Sequence, residues 1–314
     1  HRYYLHKTPF IMPSVLDRFK DTEKYPRQMR ELGMLISLRD EKGLFLKQKD
    51  QDRCAWHGDV DEFDDAEELE HTFGEGTEEK GILFRTPRLI ILRGAYKDDT
   101  TFIENTKERN SIEGTYHEMN YLYDDWKAKH GAEPSPYRRR RLILCYLVNK
   151  NGEKLHGKPL YISLHGGAAR LFVEKYAQFL EQLEGVYAKA TGDDHAQGFG
   201  EKMAASVIWT PTFGTELYGG DKKSKVMVAK SWKEPTEKTI LSFWPKSAET
   251  IDSIEKVWES CPIEVYAAKF FKQLENEVGI NALKPGVDLA SPALPAATNL
   301  GDRDPDTGEI NLAA

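Results

Sequence analysis

Tyr137-Arg138-Arg139-Arg140-Arg141-Leu142-Ile143-Leu144-Cys145-Tyr146-Leu147-Val148 is the stretch on which the fold turns. The apolar run 142–148, with the turn residues Asn149-Lys150-Asn151-Gly152 behind it, has the length and punctuation of a buried strand. Four consecutive arginines in front of it repel one another unless water or an anionic partner compensates them. Side chains alternate along a strand, so Arg139 and Arg141 share one face and Arg138 and Arg140 the other. At most one of these pairs can serve a single groove.

Beyond the turn, Pro159-Leu160-Tyr161-Ile162-Ser163-Leu164 supplies the second arm of a hairpin. After His165-Gly166-Gly167 the period changes. Leu171, Phe172, Tyr176, Phe179, Leu180, Leu183, Val186 and Tyr187 recur at spacings of three and four. They predict an amphipathic helix of about twenty residues that stops at Thr191-Gly192. The His-Gly-Gly turn fits both an anion-binding turn, with backbone N–H groups converging at a helix start, and a tight strand-to-helix connection.

Upstream, residues 88–93 form a short apolar strand led by Pro87, and Gly43 marks a turn between the apolar clusters 35–36 and 44–46. Downstream, strands are expected over 205–212, 225–232 and 239–243, then helices over 248–259 and 263–277 split by Pro262, and a tail poor in core residues. The expected fold is α+β: a strongly curved antiparallel sheet or OB-like barrel, with the long helix after the central hairpin and further C-terminal helices. The expected division is an N-terminal extension with an acidic segment over 1–80, a main domain over 81–280 and a tail over 281–314.

The net charge of −7 is unevenly placed. Residues 59–80 hold eleven acids and one lysine, whereas residues 138–246 hold eighteen Lys and Arg against eleven Asp and Glu. The acidic run fails the spacing of an EF-hand, which needs Gly at its sixth position where Asp64 stands. It is expected to form a solvated loop or short exposed helix, able to compete for the basic face or dock a partner. No apolar run approaches the roughly 18–20 residues that span a bilayer, and residues 1–10 lack the order of a signal peptide. Cys54, Cys145 and Cys261 are three, far apart and without CxxC spacing, so a reducing cytoplasm is the expected compartment. Cys54 and His57, with Asp59 behind, have the residue types of a Cys/His pair, although catalytic partners usually meet through the fold.

The chain contains no phosphate-binding GxxxxGK[ST] loop, no GxGxxG after a strand, and no HExxH, GxSxG or CxxC. The expectation is therefore a non-enzymatic protein without metal or cofactor. The basic half interleaves cations with aromatics, a pairing that holds single-stranded nucleic acid by following phosphates and stacking bases. Arg138, Arg139, Arg140, Arg141, Lys158, Lys223 and Lys225 are the expected phosphate contacts, and Tyr146, Tyr161 and Trp232 the stacking platforms. The expected partner is single-stranded DNA or RNA, bound by a homo-oligomer without sequence preference. The alternative is a self-assembling scaffold in which the acidic run of one subunit meets the basic block of the next.

Three segments carry a family resemblance: Thr86-Pro87-Arg88-Leu89-Ile90-Ile91-Leu92-Arg93, the arginine block with its strand through Lys150, and Leu155-His156-Gly157-Lys158-Pro159-Leu160 leading to the helix near Ala169. In this order they resemble an uncharacterised bacterial domain family known chiefly from cyanobacterial genomes, over about residues 50–260. The resemblance implies a shared fold and assigns no site residue. The chain is also similar, more loosely, to phage and plasmid proteins that bind single-stranded DNA.

Overall fold

The computed structural model describes residues 32–74, 76–95, 101–107, 111–131, 133–192, 198–219 and 223–260. Residues 1–31, Lys222, Cys261, the helix expected over 263–277 and the tail 281–314 lie outside the described residues. In chain order the elements are β1 (Met34–Leu38), β2 (Gly43–Lys47), α1 (Gln48–Cys54), β3 (Ala66–Thr72), β4 (Glu78–Phe84), β5 (Leu89–Arg93), β6 (Thr101–Asn105), β7 (Ser111–Thr115), α2 (Tyr116–Met119), α3 (Tyr121–His130), β8 (Tyr137–Leu147), β9 (Leu160–His165), α4 (Gly166–Thr191), α5 (Glu201–Ala204), β10 (Ile208–Trp209), β11 (Pro211–Tyr218), β12 (Ser224–Trp232) and α6 (Ala248–Ser260).

The arginine block is not a leader to the central strand but its first half. β8 pairs with β9 along one edge, with Arg140 opposite His165 and Cys145 opposite Leu160. Its other edge is shared: residues 137–141 pair with β6, and residues 144–147 with β5. The sheet runs β10-β5-β8-β9-β1-β2-β4-β3, with β6 and β7 branching from β8, and β11–β12 form a separate hairpin. Every pairing is antiparallel except that of β1 with β9.

The sheet is curved but does not close, so the OB-like barrel is not formed. Two local facts account for this. β8 divides one edge between two branches, and the far end of the sheet is β3, whose exposed glutamates Glu67, Glu68 and Glu70 resist further pairing. The acidic run begins as the expected short exposed helix, a 3-10 turn over Val60–Glu62, and continues as the edge strand β3 rather than as a loop. The buried half of β4, residues 81–84, gives it a partner, with Glu68 opposite Ile82 and Glu70 opposite Lys80. Its charge is met locally: Arg88 holds Asp64 at 2.7 Å, Arg85 holds Asp65 and Glu67, and Lys47 and Lys49 hold Glu79 at 3.2 and 2.7 Å. β1 to β4 belong to the same sheet as β8.

Both faces of β8 are covered, which explains an uninterrupted apolar run where a half-exposed strand would alternate. Ile143, Cys145 and Leu147 face Phe172, Tyr176, Phe179 and Leu183 of α4, together with Trp209 and Phe243. Leu142, Leu144, Tyr146 and Val148 face the opposite way, with Ile90, Leu92, Tyr161 and, from α6, Ile254 and Val257. α4 is longer than its periodic stripe: it starts at Gly166 and ends at Gly192, whose φ of 68° provides the left-handed cap. The strand expected over 239–243 is instead a 3-10 turn, Ile240–Phe243, because its apolar residues drop Phe243 into the α4 core without a neighbouring strand to pair with.

Candidate nucleic-acid interface

The pairing of β6 with β8 decides what each arginine meets. Register places Glu104 opposite Arg138 and Phe102 opposite Arg140, on the α6 side of the sheet. There the Arg138 Nε donates to the Glu104 carboxylate at 3.0 Å, and the Arg140 guanidinium reaches it at 3.4 Å while its Nε donates to Ser163 Oγ at 2.9 Å. His165 Nδ1 lies 3.6 Å from the same carboxylate. Burial pushes Glu104 up, but Arg140 and Arg138 outweigh it and hold the carboxyl below the usual glutamate value. Burial first, and then the same two guanidiniums, push the His165 imidazole down, so it is neutral at neutral pH. Two guanidiniums thus share one buried carboxylate beside a neutral imidazole.

On the α4 side, Arg141 donates its Nε to the Gly94 carbonyl at 2.7 Å and is held against the sheet. Arg139 is exposed and has no carboxylate partner among the described residues. Its Nη2 donates to the Tyr116 hydroxyl at 2.7 Å, with the guanidinium 4.3 Å from the Tyr116 ring centroid. Thr115 makes this possible: its hydroxyl caps α2 by accepting from the Glu118 N–H, which sets Tyr116 as the first helical residue.

Arg139 forms one wall of a cleft of about 160 Å³. Tyr116, Tyr123 and Asp124 of α2 and α3 line it, with Tyr137 and Arg138 of β8, Gly167 and Arg170 of α4, and Tyr218 at the end of β11. Arg170 also has no carboxylate partner among the described residues, and donates to the Tyr218 hydroxyl at 3.2 Å. The first turn of α4 contains no acid and no side chain caps it, so the helix presents unneutralised N–H groups. Gly167 is glycine for a steric reason: a Cβ there would run into the Tyr218 ring.

The other expected contacts divide. Tyr146 and Tyr161 are 2% and 1% exposed, in the core between β8, β9 and α6, and cannot stack a base. Trp232 is half-buried and donates its indole N–H to Gln182 at 2.9 Å. Lys225 lies 3.8 Å from Asp40. Lys223 is exposed and adjoins Ser224, the residue opposite Tyr218, which places it near the cleft mouth. Lys158 sits at the far end of the β8–β9 ladder, its N–H donating to the Cys54 carbonyl at 3.0 Å. From the arginine block, then, the cleft takes the Arg139 guanidinium; Arg138 borders it while its own side chain turns to Glu104. Arg170, Tyr116, Tyr123 and Tyr218 complete it.

Cys54 and His57 do not form a reactive pair. The buried Cys54 thiol donates to the Gln51 carbonyl and is pushed up to about 12 by burial, while His57 contacts the Ala55 and Lys154 carbonyls. Among the described residues no cluster of three or more His, Cys, Asp and Glu could hold a metal, and no helix is long and apolar enough to cross a membrane.

The class defined by this geometry is an α+β domain with an open, mostly antiparallel sheet and an arginine- and tyrosine-lined cleft at the start of its long helix. The chain belongs to the family described as a domain of unknown function, DUF5895, whose profile matches residues 31–262. The match starts earlier than the expected residue 50 and so takes in β1 and β2. Searches of curated proteins and of solved structures gave no match.

Proposed function

We propose that this protein binds single-stranded nucleic acid through the cleft, with no chemical step. The observation that carries the reading is the pair Arg139 and Arg170, two guanidiniums facing one tyrosine-lined cavity without a carboxylate partner among the described residues. A phosphate would bridge them, assisted by the N–H groups of the α4 first turn. Tyr116, Tyr123, Tyr137 and Tyr218 offer faces to a base or sugar, and stacking on such faces is tolerant of sequence.

The interface differs from a sheet-wide platform. β8 contributes its first residues rather than its central tyrosines, and contact with the strand is concentrated at one point. Fluorescence anisotropy of an internally labelled oligonucleotide at low and moderate salt tests the reading. Binding that weakens with salt, with a slope of about 0.7 per phosphate neutralised, is expected. No binding at low salt, or binding indifferent to salt, rejects it.

A further inference from the structure

We infer that the group seated in the cleft is the phosphorylated end of the strand, a terminal phosphomonoester, rather than an internal phosphodiester. This rests on the nucleic-acid reading and adds to it the chemical identity of the group bound.

The first ground is size. At about 160 Å³ the cavity is smaller than the roughly 300–1,000 Å³ of pockets that enclose a whole small molecule. It takes one phosphate with part of its nucleoside. The lining comes from four directions, namely α2–α3, β8, the start of α4 and the end of β11, which favours a chain that ends inside over one that runs through.

The second ground is charge. Two guanidiniums, Arg139 and Arg170, face the cavity against one carboxylate, Asp124. The uncapped α4 terminus adds roughly half a positive charge. An internal phosphodiester carries a single negative charge, whereas a phosphomonoester carries about −1.5 to −2 near neutral pH and presents three acceptor oxygens. The doubly charged group matches the cavity.

The third ground is donor supply. Each guanidinium has five N–H donors. Arg139 uses one on Tyr116 and Arg170 one on Tyr218. The contacts made within the chain orient the two groups while leaving most of their donors for a ligand.

The test uses three internally labelled strands of one sequence: with a 5′-phosphate, with a 3′-phosphate, and with hydroxyls at both ends. One phosphorylated strand should bind about 10–100-fold tighter than the hydroxyl strand, the range of one or two charge-assisted hydrogen bonds. Arg170→Ala, at an exposed helix position, should remove that preference while keeping the fold, as checked by its thermal transition. Equal binding of all three strands overturns the inference and leaves the proposed function standing, whereas binding of none overturns both. Displacement of the phosphorylated strand by thymidine monophosphate at concentrations near the strand's own would make the free nucleotide the ligand and overturn the strand end. Retention of the full preference in Arg170→Ala would overturn the cleft as its site.

Discussion

Arg139 and Arg140 are neighbours in the chain and opposite in fate. Arg140 is 7% exposed, shares the Glu104 carboxylate with Arg138 and bonds Ser163. Arg139 points to the other side, meets the Tyr116 ring and hydroxyl, and has no acid partner among the described residues. The difference lies in what the alternation of the strand delivers them to, since the residues are of one type. A buried arginine beside a buried glutamate is a structural device, whose removal of one member leaves an unpaired charge in the interior. An arginine held by a tyrosine at a cavity is poised for an anion from outside.

The sharpest way to break this contrast is to remove Glu104. Glu104→Ala removes the carboxylate that Arg138 and Arg140 share, and should lower unfolding free energy by about 3–5 kcal/mol in urea titrations. Glu104→Gln keeps the shape and removes only the charge, and should cost less. The native carboxyl titrates below the ordinary glutamate value, so its contribution is complete above about pH 4.5 and is lost as pH falls through the lower folded value. In Glu104→Gln that acid-limb loss should disappear. An acid limb as steep as in the parent would show that Glu104 is not the group responsible.

Next in size is the exchange of roles. Arg139→Ala should weaken oligonucleotide binding by about 10–100-fold and leave stability within about 0.5 kcal/mol, as for other exposed positions. Arg140→Ala should do the reverse, costing more than about 1 kcal/mol of stability with little change in affinity per folded molecule. Equal effects of the two on binding would dissolve the contrast.

A smaller effect is expected at Gly167. Gly167→Ala places a methyl against the Tyr218 ring, which must turn toward the cleft. Affinity should drop several-fold, with a stability cost of about 1 kcal/mol. In a Tyr218→Ala background the same substitution should cost almost nothing, and a double-mutant cycle measures that coupling.

Much of this arrangement was legible in the residues, and the reason varies with the element. α4 was legible because its apolar stripe has one period and one stop at Gly192. The division of the arginines between two faces followed from alternation alone. The burial of Tyr146 was also within reach, because it lies inside a run without polar interruption, and such a run implies cover on both faces. What stayed hidden is residues 101–130. Phe102 and Ile103 are the main buried apolar residues β6 brings, and β6 is fixed by its register on β8, a long-range pairing with no local signature. Glu104 as counter-ion and Tyr116 as the seat of Arg139 were therefore out of sight. The acidic run is exposed, as its charge density suggested, but its pairing as β3 stayed hidden, because its partner β4 and its cations Arg85, Arg88, Lys47 and Lys49 come from neighbouring strands, turns and α1. Arg170 did leave a trace: a long helix that opens Gly-Gly-Ala-Ala-Arg, with no acid in its first turn, is poorly matched to its own dipole unless an anion completes it.

The smallest expected effect separates two exposed lysines. Lys223 adjoins the residue opposite Tyr218, and Lys158 precedes β9 at the end of the ladder remote from Arg138. The nine residues of strand between positions 138 and 147 span about 30 Å at roughly 3.3 Å each, several times the screening length at physiological salt. A cleft at the start of β8 therefore makes Lys158 indifferent: Lys158→Ala should leave both the affinity and its salt slope unchanged. Lys223→Ala should lower the magnitude of the slope by up to about 0.7, the value for one phosphate contact on a single strand, with less than a tenfold loss of affinity. If Lys158→Ala reduces the slope as much as Lys223→Ala does, the strand follows the whole rim of the sheet, and the asymmetry between the two ends of β8 carries no function.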